Sequence, residues 1–144
     1  MNQKQVPPPT TPYGAPIRLE AAKKAMAAAE AEAAKDHLAV AIAVVDSGGN
    51  LVMLQRLDNA QLSAVRIAEA KARTAVEFRR PTKVFQDALA AGGVGLRALT
   101  FGASVAEGGV PIVSGGAIIG GIGVSGATSE QDAQVAQAGA DALK

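Results

Sequence analysis

Two pairs of apolar segments, each joined by a short turn, constrain the fold of this chain most strongly. The first pair lies at residues 38–45 and 51–54, and the second lies at residues 108–113 and 117–125. The turns between the partners are short and rich in Gly, Ser, Asp and Asn. A parallel pair needs a crossover of about a dozen residues or more, so each pair is predicted to form an antiparallel β-hairpin.

Segments with helical periodicity surround the hairpins. Residues 19–35 are rich in strong helix formers, and residues 63–78 place their apolar side chains on one helical face. Thr82 is the expected N-cap of a short helix over residues 84–91, and the capping-box spacing at residues 128–131 predicts a last helix that runs to residue 143. The order α, β, β, α, α, β, β, α predicts an α+β fold with an antiparallel sheet flanked by helices.

The first 16 residues differ from the rest, because they hold five of the seven prolines and show no apolar periodicity. We expect an extended or disordered arm over residues 1–16 and one domain over residues 17–144. The arm is either a frayed tail or a strap in which Tyr13 contacts a neighbouring subunit.

Composition argues against several classes of partner. A formal net charge of +1 and an aromatic content of 3% favour neither phosphate backbones nor base stacking, so we expect no nucleic acid partner. The longest apolar run, near residues 117–124, is too short to span a bilayer, and no export signal is visible, so we expect no membrane partner. A cytoplasmic protein is the expectation, and a periplasmic or secreted mature form is the alternative.

Gly121, Gly123 and Gly126 satisfy the spacing G-x-G-x-x-G, which occurs in dinucleotide-binding proteins. That site needs a second parallel strand after the helix, but only eighteen residues follow Gly126, and they read as one helix. The glycines are instead interpreted as a place where another part of the molecule or a ligand approaches a strand closely.

Few side chains are candidates for chemistry. His37 is the only histidine, so one chain has no histidine cluster for a metal, and we expect a partly exposed residue at a helix end. Lys71 shares a helical face with apolar residues, so its ammonium either reaches solvent or meets an anion. Gly108 and Gly109 are expected to expose N–H groups beside the start of the last helix. These groups either hold an anionic oxygen or belong to an ordinary turn and helix cap.

Several motifs occur in order: VVDSGG, KARTA, GGVPI, and GVSG followed by TSEQD. With these motifs the chain resembles the GlcG/HbpS family, which includes the C-terminal domain type of PduO. The resemblance implies a profilin-like sandwich with a central antiparallel sheet of about five strands, and assembly into dimers or higher homo-oligomers. Some members bind haem. Asn50 stands where many relatives carry a histidine.

The resemblance also implies a ligand groove with these residues: Lys71, Thr74, Glu107, Gly108, Gly109, Val110, Pro111, Ser125 and Glu130. The expected function is binding of a small anionic or tetrapyrrole-like molecule, haem among them, by a homo-oligomer. One alternative is a small enzyme acting on a hydroxy acid or related oxygenated metabolite, with Lys71 or Glu130 in proton transfer. The other is a structural oligomer with no ligand.

Overall fold

The computed structural model describes residues 10–144, and it has the α+β architecture that the sequence predicts. The helices are α1 (Leu19–Lys35), α2 (Leu62–Phe78), α3 (Lys83–Ala91) and α4 (Ser129–Asp141). The strands are β1 (Ala41–Asp46), β2 (Leu51–Arg56), β3 (Gly109–Ser114) and β4 (Ala117–Ser125). A 3-10 helix that was not predicted, Gly93–Thr100, follows α3.

The four strands form one antiparallel sheet in the order β2-β1-β4-β3. Both predicted hairpins are confirmed, and they join through the central pair β1 and β4, where Ala41 lies opposite Ser125 and Asp46 lies opposite Gly120. The prediction of about five strands is wrong for the described residues, which form four. The N-terminal segment contacts β4 without forming a further strand.

Residues 10–16, the described part of the predicted arm, run beside the part of β4 that β1 leaves unpaired. Tyr13 forms an isolated bridge with Ile118, and the backbone N–H of Ile118 donates to the Pro12 carbonyl at 2.8 Å. Pro12 and Pro16 have no N–H to donate, so the contact does not extend into a strand. The Tyr13 hydroxyl donates to the Val76 carbonyl of the same chain at 2.7 Å. Residues 1–9 of the predicted arm lie outside the described residues, and the division of the chain at residue 17 stays a prediction.

Helices cover both faces of the sheet. On one face, Ile42, Val44 and Ile122 are fully buried in the core beneath α1 and α4. On the other face, small residues let α2 lie very close to β4. A Cβ on Gly123 would overlap the Ala68 carbonyl, and a Cβ on Gly121 would lie 2.7 Å from the Ala72 carbonyl oxygen. This strand position confirms close approach, and not a nucleotide turn, as the role of these two glycines.

The two predicted helix caps have different outcomes. Thr128 caps α4, because its hydroxyl accepts from the Gln131 N–H at 3.2 Å and the Gln131 side chain accepts from the Thr128 N–H at 3.2 Å. Thr82 does not cap α3, so that prediction is wrong. Its backbone is already helical, with φ −65° and ψ −16°, and its buried hydroxyl accepts from the Gly109 N–H at 3.0 Å.

Within residues 10–144, no helix combines the length and the apolar character needed to cross a bilayer. The compartment expected from the sequence stays a prediction.

Candidate ligand site

A buried ion pair lies where the predicted groove residues meet. The Lys71 ammonium donates to Asp132 Oδ2 at 3.0 Å and to the Val124 carbonyl at 2.9 Å, and both charged side chains are 3% exposed. Asp132 Oδ1 in turn accepts from the Ala127 N–H at 3.0 Å. Lys71 belongs to α2 and Asp132 to α4, so the pair connects the helices on opposite faces of the sheet.

Burial dominates the electrostatics of Asp132. It raises the pKa of this carboxyl, because a charge is poorly solvated inside the protein. The Lys71 ammonium and the Ala127 N–H oppose the rise, since both stabilise the charged form. The net direction is upward, so ionisation of Asp132 is harder here than in water.

The backbone of Gly108 separates this pair from the surface. Gly108 has φ +136°, and a Cβ there would lie 2.7 Å from the Val124 carbonyl oxygen and 2.8 Å from Lys71 Nζ. The missing side chain is therefore what allows the ammonium to pass from α2 to Asp132. No other residue fits this position without displacing the ion pair.

The Gly108–Gly109 segment offers fewer free N–H donors than the sequence predicts. The Gly109 N–H donates to Thr82, and the Gly108 carbonyl accepts from the Val124 N–H at 2.9 Å. The expectation of an exposed pair of N–H donors is wrong at Gly109, because the buried Thr82 hydroxyl already occupies its amide. The N–H of Gln131, in the first turn of α4, is likewise occupied by its own cap.

Outside Gly108, a surface cleft of about 400 Å³ lies between the start of β3 and α4. Its charged side chains are Lys83, Glu107 and Glu130. The whole lining is Pro81, Lys83, Glu107, Gly108, Gly109, Val110, Glu130, Ala133, Gln134 and Gln137. The Gln86 side chain accepts from the Glu107 N–H at 2.8 Å and so fixes that edge.

Acidic groups surround Lys83, the one cation among the described residues of the cleft. Lys83 Nζ lies 3.1 Å from both carboxylate oxygens of Asp87, whose hydrogen bond raises the pKa of Lys83. Glu107 and Glu130 raise the pKa of Lys83 further through their negative charge. The cleft therefore carries more negative than positive charge.

The nine predicted site residues divide into two groups. Five of them line the cleft, namely Glu107, Gly108, Gly109, Val110 and Glu130. Lys71, Thr74 and Ser125 are buried and do not line it, and Pro111 lies half-buried in β3 away from it. The Thr74 hydroxyl is occupied by the Ser104 N–H at 2.9 Å.

Asp132 is the residue that sequence reasoning missed. It lies on the inward face of α4 with Val135, Ala136 and Gly139, all buried. A charged residue on an apolar face was the signal that singled out Lys71, and the same signal was present at Asp132. Two such residues of opposite charge predict a buried pair.

Two other candidates lie away from the cleft. His37 is exposed just after α1, with φ +53°. Lys71 is 2% exposed and already paired, which leaves its ammonium no contact with a substrate in the cleft. A proton-transfer role for Lys71 gains no support from this geometry.

The chain has clear similarity to known proteins. A family model described as haem degrading protein HbpS-like matches residues 17–141. Protein GlcG of Escherichia coli K12 is 44% identical over 100 residues, which cover 69% of this chain and 74% of GlcG.

Two solved structures are similar to this chain over most of its length. The crystal structure of HbpS has a TM-score of 0.80 and 39% identity, over 91% of this chain and 92% of that one. The crystal structure of a PduOC:heme complex has a TM-score of 0.80 and 27% identity, over 90% of this chain and 96% of that one.

Proposed function

Because the chain belongs to the HbpS-like family, we propose that it binds haem or a related tetrapyrrole in the cleft between the start of β3 and α4. Two lines support the proposal. A structural relative, PduOC, has been solved as a complex with heme. The five predicted residues that do converge on a common surface are those of this cleft.

The observation that carries the site assignment is the donor set of the cleft. Glu107 and Glu130 supply carboxylate oxygens, and haem iron accepts an oxygen ligand from the protein in some haem proteins. Lys83 supplies a cation for a propionate, and Val110 and Pro81 supply apolar surface. The volume of about 400 Å³ lies in the range of small-molecule pockets, roughly 300–1,000 Å³. These residues fit an oxygen-ligated haem.

The charge of the cleft discriminates between the two ligand classes expected from the sequence. Two glutamates of the cleft would repel a simple small anion. Such an anion could not bind the Gly109 N–H either, because that N–H already donates to Thr82. A metallated tetrapyrrole brings a positive metal centre together with carboxylates at its edge, so it matches both signs of charge in the cleft. The cleft therefore favours the tetrapyrrole.

Histidine ligation does not fit this site. His37 follows α1 and does not line the cleft, and Asn50 lies in the β1–β2 turn, where the Gly49 carbonyl accepts from Arg73 Nε at 3.3 Å. Bound haem would supply an iron centre capable of redox chemistry. The chain's own contribution is to ligate through a carboxylate, to pair Lys83 with a propionate, and to keep the cleft edge fixed through Gln86.

A titration with ferric haem, followed by absorbance, tests the proposal. We expect a saturable shift of the Soret band at one haem per chain. The double substitution Glu107→Gln/Glu130→Gln is expected to weaken binding by about tenfold or more, because it removes both ionic oxygen donors. Glu30→Gln is the matched control, since Glu30 is exposed on α1 and lies outside the cleft.

A flat spectrum at stoichiometric haem would refute haem binding. Equal affinity in the double variant and the wild type would refute the cleft as its site. Equal weakening by Glu30→Gln would show that bulk charge, and not these two positions, governs the interaction.

We also propose that the protein assembles with itself through the 3-10 helix and the residue after it. Four large apolar side chains there are exposed by half or more: Val94, Leu96, Leu99 and Phe101. An exposed apolar patch of this kind is typical of protein contact surfaces. Sedimentation equilibrium tests the proposal, with Leu99→Glu expected to dissociate the assembly and the exposed Leu51→Glu to leave it unchanged. A wild-type monomer at tens of micromolar, or no effect of Leu99→Glu, would refute it.

A further inference from the structure

A second cavity lies at the corner where the arm leads into α1. Its volume is about 640 Å³, and its lining is Ala15, Pro16, Ile17, Arg18, Leu19, Glu20, Ala21, Lys24, Ile119 and Leu143. None of these residues lines the cleft between β3 and α4. This corner cavity is therefore a separate place on the molecule.

The wall of the corner cavity is apolar and fixed in position. Ile17 is buried in the main core, and Ala21, Ile119 and Leu143 pack against that core. The Ile17 N–H donates to the Ile119 carbonyl at 2.8 Å, which holds the end of the arm against β4. A ligand with an apolar body would therefore meet a preformed surface.

The rim of the corner cavity carries unbalanced positive charge. Arg18 and Lys24 are exposed, and neither forms an ion pair with any residue of the described chain. Among the described residues that line the cavity, Glu20 is the only acidic one, so two cations oppose one anion.

From this combination we infer that the corner cavity binds an amphipathic organic carboxylate, with its apolar body on Ile119 and Leu143 and its carboxylate at Arg18 and Lys24. The charge complementarity sets the sign of the head group, and the apolar wall sets the nature of the body. The inference does not rest on haem binding in the cleft, because the two sites share no residue.

Titration with decanoate, followed by backbone amide chemical shifts, tests the inference. We expect saturable shifts at residues 15–24 and at Ile119 and Leu143. Decyltrimethylammonium has a similar alkyl chain and the opposite charge. We expect its affinity to be lower than that of decanoate by about tenfold or more. Haem absorbance is recorded separately, so failure of either site is seen independently of the other.

A pair of variants sharpens the test. Arg18→Gln/Lys24→Gln is expected to weaken decanoate binding by about five- to tenfold, since two exposed charge contacts are lost. Lys23→Gln is the matched control, because Lys23 is exposed on α1 but does not line the cavity.

The inference would be overturned by equal weakening in Lys23→Gln, by equal binding of the cationic detergent, or by shifts confined to residues outside the corner. Shifts at the corner that follow protein concentration and not decanoate would also overturn it, since a second copy of the chain would then be the occupant.

Discussion

Two lysine–aspartate pairs of this molecule have nearly the same geometry and very different surroundings. Lys71 and Asp132 lie 3.0 Å apart with both side chains 3% exposed, whereas Lys83 and Asp87 lie 3.1 Å apart with side chains 54% and 60% exposed. Water solvates the outer pair with or without its partner, but the inner charges depend on each other. The inner pair therefore stabilises the fold. The charges of the outer pair stay in contact with solvent, where a ligand can reach them.

Breaking the inner pair is expected to have the largest effect. Asp132→Leu removes the acceptor of the buried Lys71 ammonium and of the Ala127 N–H, and we expect a loss of about 3–5 kcal/mol in the free energy of unfolding. Urea denaturation measures this loss. A loss below about 1 kcal/mol would mean that the interior solvates Lys71 without Asp132.

Removing both charges together is expected to restore most of that stability. In Lys71→Met/Asp132→Leu, apolar side chains of similar length replace the pair, and buried pairs replaced in this way are often neutral within about 1–2 kcal/mol. Comparison with Lys71→Met and Asp132→Leu alone completes a double-mutant cycle. If the double variant is as unstable as the worse single variant, the packing of these side chains, and not their charge, determines stability.

A side chain at Gly108 is expected to lower the free energy of unfolding by less than the loss of an ion-pair partner does. The loss is expected to be larger than backbone strain alone would cause. Gly108→Ala adds a Cβ against Val124 and Lys71 at a φ of +136°, and we expect a loss of about 2–3 kcal/mol. Gly93→Ala is the matched control, because Gly93 also has positive φ, at +56°, but has open space around it. We expect about 1 kcal/mol there. Equal losses would show that strain alone explains Gly108.

The pH dependence of stability follows from the raised pKa of Asp132. The folded state holds its proton to a higher pH than the unfolded chain, whose Asp pKa is near 3.8. Between that value and the folded pKa the folded state binds more protons, so this group's contribution to stability is lost as pH rises through the window. We expect the wild type to lose stability relative to Lys71→Met/Asp132→Leu as pH rises above about 3.8. The opposite slope would mean that Lys71 outweighs burial.

Replacing Lys83, the cation of the outer pair, is expected to have the smallest effect on stability. Lys83→Gln removes a solvated ion pair on an exposed helix surface, and we expect the urea midpoint to stay within experimental error. Haem affinity is expected to fall, because a propionate loses its partner. A large shift of the midpoint would contradict the distinction between the inner and outer pairs.

Local patterns in the sequence were sufficient for the elements but not for the contacts between them. The hairpins, α1 and the Thr128 cap depend on residues close together in the chain, and they were predicted near their observed positions. Lys71 and Asp132 are 61 residues apart, so their pairing exists only after the helices pack on the sheet. The Thr82 cap failed for the same reason, because Gly109 of a distant strand competes for its hydroxyl.

We propose that the ligand binds in the outer cleft and does not depend on the inner pair. Ferric haem titration of two variants side by side tests it most directly. We expect wild-type affinity in Lys71→Met/Asp132→Leu and a loss of about tenfold or more in Glu107→Gln/Glu130→Gln. The reverse order of affinities, in a pair of folded variants, would contradict it.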